Sequence, residues 1–75
     1  MSEEPKVIDV MGQRCPIPVQ RLRVAMRGEQ GRDIHLVGDD PESLHDIPAL
    51  LERMNMPSPK ISEIEGGWRF VISID

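Results

Sequence analysis

The sequence predicts an α/β two-layer sandwich built in the order β-α-β-α-β-β, with both helices on one face of a four-stranded sheet. Three observations predict it. Two short β-branched runs are each followed by a glycine and then by apolar residues at helical spacing. Two alternating runs close the chain, split by a glycine pair. The chain has 75 residues and 39% hydrophobic content, enough for one small domain with one core.

Residues 1–5 are read as a loose polar tail and residues 6–75 as the single domain. Val7-Ile8-Asp9-Val10 is the first strand and ends at Met11-Gly12. Pro16 and Pro18 suit the first turn of a helix, where a missing N–H costs no helix bond. Val19, Leu22, Ala25 and Met26 then recur at helical spacing, and Gly28 is a candidate stop. Glu29 to Arg32 reads as a turn. Asp33 to Gly38 is the second strand. Its connection to the first runs through a helix, so the two are expected to be parallel with a right-handed crossover.

Asp39-Asp40-Pro41-Glu42-Ser43 is a helix-start signature, with a capping carboxylate, a proline and an acidic first turn. Leu44, Ile47, Leu51 and Met54 follow as an apolar stripe, which Pro48 interrupts. Either one helix bends at Pro48, or residues 41–45 form a separate turn and the main helix begins near Asp46. Asn55 to Pro59 is a proline-rich break. Lys60-Ile61-Ser62-Glu63-Ile64 alternates as a half-exposed strand, and Glu65-Gly66-Gly67 signals a hairpin. Trp68, Phe70, Ile72 and Ile74 share one side of the last strand. Val71 adds apolar character to the other side, as in a central strand.

Composition narrows the function classes. A net charge of −4 argues against a general nucleic-acid binder, which needs a basic footprint. The single cysteine rules out an internal disulfide, so nothing points to an oxidising compartment. The polar, acidic N-terminus is no signal peptide, and no apolar run approaches membrane-spanning length. A soluble, cytoplasmic protein without membrane contact is expected.

The chemistry concentrates at Gly12-Gln13-Arg14-Cys15-Pro16-Ile17-Pro18. A lone cysteine is often a buried small hydrophobe. This one sits in a polar, proline-flanked turn at a helix start, where helix amides and Arg14 favour the thiolate. Asp39 and Asp40 read first as helix caps. They have no histidine or cysteine at metal-ligand spacing, and His35 and His45 are isolated, so neither a metal nor a cofactor is expected. Met26 and Met54 read as core, with Met11, Met54 and Met56 as an alternative apolar docking rim. Arg21, Arg23 and Arg27 form a basic stretch on the cysteine helix: a solvated face, or a docking surface for an acidic partner, with Asp39 and Asp40 as further docking candidates.

The pattern Gly12-x-x-Cys15-Pro16-x-Pro18, then Asp39-Asp40-Pro41, then Asp46-Ile47-Pro48, resembles the TusA/SirA/YedF family of small sulfur-carrier proteins. The likeness covers about residues 6–75. It implies a mixed sheet of order 1-2-4-3 with the last strand antiparallel to the others. It also implies that Cys15 takes sulfane sulfur as a persulfide from a cysteine desulfurase or rhodanese. Cys15 would pass it to an acceptor protein in tRNA thiolation, molybdenum-cofactor work or sulfur oxidation. Such a carrier works with partners rather than as an independent turnover enzyme. It needs no resolving thiol, which would release the sulfur as sulfide. Gly12, Pro16 and Pro18 would shape the loop, and a monomer suits a shuttle. Two other readings compete: a redox-regulatory thiol protein, and a non-catalytic interaction or RNA-binding module.

Overall fold

The computed structural model describes residues 4–28 and 33–73. The elements are β1 (Lys6–Asp9), α1 (Ile17–Gly28), β2 (Ile34–Gly38), α2 (Ser43–Arg53), β3 (Lys60–Ile64) and β4 (Gly67–Ile72). They form an α+β fold with one four-stranded sheet of order β1-β2-β4-β3. β1 and β2 are parallel, with α1 as the crossover that such a pair requires. β4 runs antiparallel to both of its neighbours and is a central strand. The turn expected over Glu29 to Arg32, and Ile74 on the last strand, lie outside the described residues.

Register explains the core. Ile8, Leu36 and Phe70 stand side by side across three strands, as do Ile34 and Ile72 on adjacent ones, and all five are buried. Their neighbours along each strand point the other way, so Val7 and Arg69 are exposed. Leu22 of α1 and Ile47 and Leu51 of α2 complete the buried cluster. Each such side chain contributes about 1.5–3 kcal/mol on full burial. β3 is an edge strand and more exposed than the expected half, with Ile61 itself exposed. The β3–β4 hairpin turns on Glu65-Gly66, where Gly66 has φ +83°, a conformation that suits glycine.

Two details differ from the sequence reading, and one alternative is resolved. Gly28 is the last residue of α1 rather than a left-handed stop beyond it. α2 is one helix from Ser43 with Pro48 inside it, which settles the alternative left open above. Met54 is exposed and not core, because α2 ends at Arg53 and Met54 is the cap beyond the stripe. Asn55 takes φ 58°, the Asn55 N–H bonds the Glu52 carbonyl, and the Met56 N–H returns to the Leu51 carbonyl. This helix-ending pattern swings Met56 back onto the core, where Met26 of α1 also packs as expected.

Candidate functional site

Parallel pairing of β1 and β2 brings the C-terminal ends of both strands to one edge of the sheet. The loops that leave them, residues 10–16 and 39–42, therefore meet there, beside the start of each helix. This is the edge at which α/β sheets place their functional groups.

The second loop clamps the first. Asp40 is buried, and one carboxylate oxygen accepts the Cys15 N–H at 2.7 Å while the other accepts the Glu42 N–H at 3.1 Å. A buried carboxylate must be satisfied, and two amides do so. Asp39 accepts the Gly12 N–H at 3.0 Å and pairs with Arg14 at 3.3 Å. The Gly12 amide, and Arg14 beside it, lower the Asp39 pKa from its ordinary value. Gly12 has φ +81°, which lets the chain turn back so that its amide faces Asp39. Asp9 accepts the Met11 N–H at 2.9 Å and fixes the start of the same loop. Neither aspartate is the helix cap expected from the sequence: the N-cap of α2 is Glu42 without a side-chain cap, Asp39 bonds the Gly12 loop, and Asp40 bridges the turn before α2 to the cysteine loop. The burial of Asp40 removes it from any docking surface.

Pro16 stands just before α1, its carbonyl accepting the Gln20 N–H at 3.0 Å, and the Cys15–Pro16 peptide is cis. Pro18 lies in the first turn and is buried. The Ile17 N–H is spent on the Arg14 carbonyl at 2.9 Å, and Pro18 has none to offer. Two of the amides expected to favour a thiolate are therefore absent or occupied.

The environment of the sulfur is acidic. Cys15 is half-buried, and its thiol donates to the Asp46 carboxylate at 2.8 Å. That hydrogen bond, desolvation, and the nearby charges of Asp46, Asp40 and Glu42 push the Cys15 pKa up to about 12. The expected stabilised thiolate is corrected on this point. Carboxylates surround the sulfur and disfavour its thiolate, and Arg14 turns to Asp39. Cys15, Asp40 and Glu42 bring one potential ligand atom each within 4.8 Å of one another. Both Asp40 oxygens in this group accept backbone amides, from Cys15 and from Glu42. His35 is half-buried on β2 and His45 exposed on α2, outside that group.

The sulfur opens on a cavity of about 450 Å³ between α1 and α2, whose lining includes Cys15, Val19, Arg23, Asp46, Leu50 and Arg53. Arg23, Leu50 and Arg53 also line an adjoining hollow of about 320 Å³ with Met26, Arg27 and Met54. The three helix arginines are thereby separated. Arg23 and Arg27 face this groove, whereas Arg21 lines a different depression with Lys6 and Val24. Sequence reasoning gave no role to Asp46, although it belongs to the Asp46-Ile47-Pro48 motif, and it missed Arg53 and Glu42. Helical spacing alone does not reveal that the start of α2 faces the cysteine.

Fold and site together define a small α+β protein with a single cysteine in a loop that opens on an interhelical groove. A family model described as sulfurtransferase TusA matches residues 6–74. An Archaeoglobus fulgidus protein named "Putative sulfur carrier protein" is 38% identical over 71 residues, covering 92% of each chain. The chain belongs to the TusA sulfurtransferase family, and this membership supports a sulfur-carrier role. Among the described residues, no helix is long and apolar enough to cross a membrane.

Proposed function

We propose that this protein accepts sulfane sulfur on Cys15 as a persulfide from a donor protein and passes it to an acceptor protein. The observation that carries the reading is the setting of Cys15. It is the only thiol in the chain, pinned by its own amide to Asp40 and open to a cavity that a partner can enter. A carrier needs its sulfur held in one place for successive partners and free of any second thiol that would discharge it. The donor is a cysteine desulfurase or rhodanese, and the relay is one of those that the family serves in tRNA thiolation, molybdenum-cofactor work or sulfur oxidation. The setting is cytoplasmic, residues 6–75 act as the carrier domain, and one copy suffices.

Docking uses the groove beside the sulfur. Arg23, Arg27 and Arg53 rim an apolar floor of Val19, Met26 and Leu50, which suits a partner segment that is acidic and apolar in turn. The competing readings fare worse. A redox-regulatory thiol that closes a disulfide needs a second, resolving cysteine, and the chain has one cysteine. An RNA-binding module needs exposed aromatic platforms, whereas Phe70 is buried and Trp68 packs against the core. The test is Cys15→Ser. Incubated with a cysteine desulfurase and cysteine, the wild type gains the mass of one sulfur atom and the variant none. Equal loading of both would refute the assignment.

A further inference from the structure

A thiol surrounded by carboxylates is an unusual choice for a nucleophile, and the arrangement calls for an explanation. We propose that Asp46 is the proton-transfer residue of Cys15: its carboxylate takes the thiol proton when sulfur arrives and returns it when sulfur leaves. This rests on the persulfide reading above.

The geometry singles out Asp46. Its Oδ2 lies 2.8 Å from Sγ, a short hydrogen bond for a sulfur donor. The other charged groups near the sulfur are differently engaged or placed. Asp40 is buried with both oxygens on backbone amides. Glu42 caps the start of α2 and its side chain makes no cap hydrogen bond. Arg14 pairs with Asp39, while Arg23 of α1 and Arg53 of α2 line the cavity. Asp46 is exposed on the first turn of α2 and lines the cavity, so it lies within reach of an incoming partner. A general base must lie within hydrogen-bond reach of its proton, and Asp46 does.

On loading, the Cys15 S–H bond breaks and the proton passes to Asp46. The freed electron pair on Sγ forms a bond to the outer sulfur of a donor persulfide, R–S–SH. The donor S–S bond breaks, its electron pair leaves on R–S⁻, and that thiolate takes the proton from Asp46. The sum is Cys15–SH plus R–S–SH giving Cys15–S–SH plus R–SH, with no net oxidation. On unloading, an acceptor thiol R′–SH yields its proton to Asp46 and attacks the outer sulfur. The Sγ–S bond breaks towards Sγ, which takes the proton back, leaving R′–S–SH.

The same acidic setting serves the loaded state. A persulfide anion is a nucleophile at its outer sulfur, whereas the protonated form is the electrophile that an acceptor needs. Asp46, Asp40 and Glu42 disfavour a second negative charge and so hold the cargo in its transferable form. They also slow the reaction of the empty thiol with small electrophiles between partners.

The experiment compares wild type with Asp46→Asn, which keeps the shape and removes the basic charge at an exposed position. The first reading is the rate of Cys15 alkylation by iodoacetamide against pH. Each unit by which the thiol pKa falls gives ten times more thiolate, offset in part by lower nucleophilicity, a net gain of about three- to fourfold. The variant is therefore expected to alkylate at least about threefold faster near pH 8, with its profile displaced to lower pH. The second reading is single-turnover transfer from glutathione persulfide onto Cys15 and then to free cysteine. Loss of a general acid–base group slows a proton-coupled step about 10²-fold or more. The variant is thus expected to alkylate faster and transfer slower. An alkylation profile that overlays the wild type overturns the proposal, and so does transfer at the wild-type rate. A wild type that takes up no sulfur from either glutathione persulfide or a desulfurase overturns the carrier reading itself. Normal wild-type loading with an indifferent variant overturns only the role of Asp46.

Discussion

Replacing Asp40 by asparagine removes one of two acceptor oxygens from a buried side chain. The asparagine keeps one carbonyl oxygen, which can serve either the Cys15 or the Glu42 amide. Its NH2 group then faces the other amide, donor against donor. The Glu42 amide begins a surface turn where water can replace the lost oxygen. The Cys15 amide is half-buried, and its bond is the shorter at 2.7 Å. A hydrogen bond to a charged group contributes about 1.5–3 kcal/mol. The expected loss is about 2 kcal/mol, a large share of the roughly 5 kcal/mol at the low end for natural domains. Urea unfolding followed by the fluorescence of Trp68, the single tryptophan, reads this directly. With a slope of about 1 kcal/mol per M for a small protein, the midpoint falls by about 2 M. A fall of less than about 0.5 M would mean that the clamp on the cysteine loop contributes little, and the positioning argument would fail.

Asp39 gives a pH signature of the same loop. Its folded pKa lies below the ordinary 3.8, through the Gly12 amide and then Arg14. A depressed carboxylate stabilises the fold above its unfolded pKa, and that stabilisation is lost as pH falls through the folded value. The urea midpoint of wild type should therefore exceed that of Asp39→Asn at pH 6, with the gap closing below about pH 4. A gap that is constant with pH would rule out the charge as its source. Docking is tested by Arg23→Glu with Arg53→Glu, which should slow sulfur transfer from a desulfurase at low salt. The defect should shrink as the salt rises, since exposed charges are screened over about 8 Å at physiological ionic strength. Arg21→Glu, on a different depression, serves as the control, and an equal defect there would displace the docking site.

Most of the fold was legible because its signals are local. The β-branched runs, the glycine pair and the alternation of Trp68, Phe70 and Ile72 each report a period that the backbone imposes. Met54 was misread because helical spacing says nothing about where a helix stops, and Asn55 in a left-handed conformation ends α2 just before the stripe would continue. The position of Cys15 was legible from its motif, but its electrostatics were not. The sequence places Arg14 beside the cysteine and suggests a stabilised thiolate. The fold instead turns Arg14 to Asp39 and brings Asp46, 31 residues away along the chain, onto the sulfur. Arg21, Arg23 and Arg27 look equivalent in the sequence, yet only two of them face the groove that holds Cys15 or adjoins it.

The central claim is that Cys15 itself bears the cargo, and intact-mass analysis tests it most directly. The purified protein is incubated with a cysteine desulfurase and cysteine, separated from them, weighed, and then mapped by peptide. The account predicts one added sulfur atom on the peptide that contains Cys15, removed by a reducing thiol and transferable to an acceptor protein. A stable added oxygen at Cys15 would mark a redox thiol instead. No adduct on Cys15 under conditions that load the desulfurase would contradict the account outright.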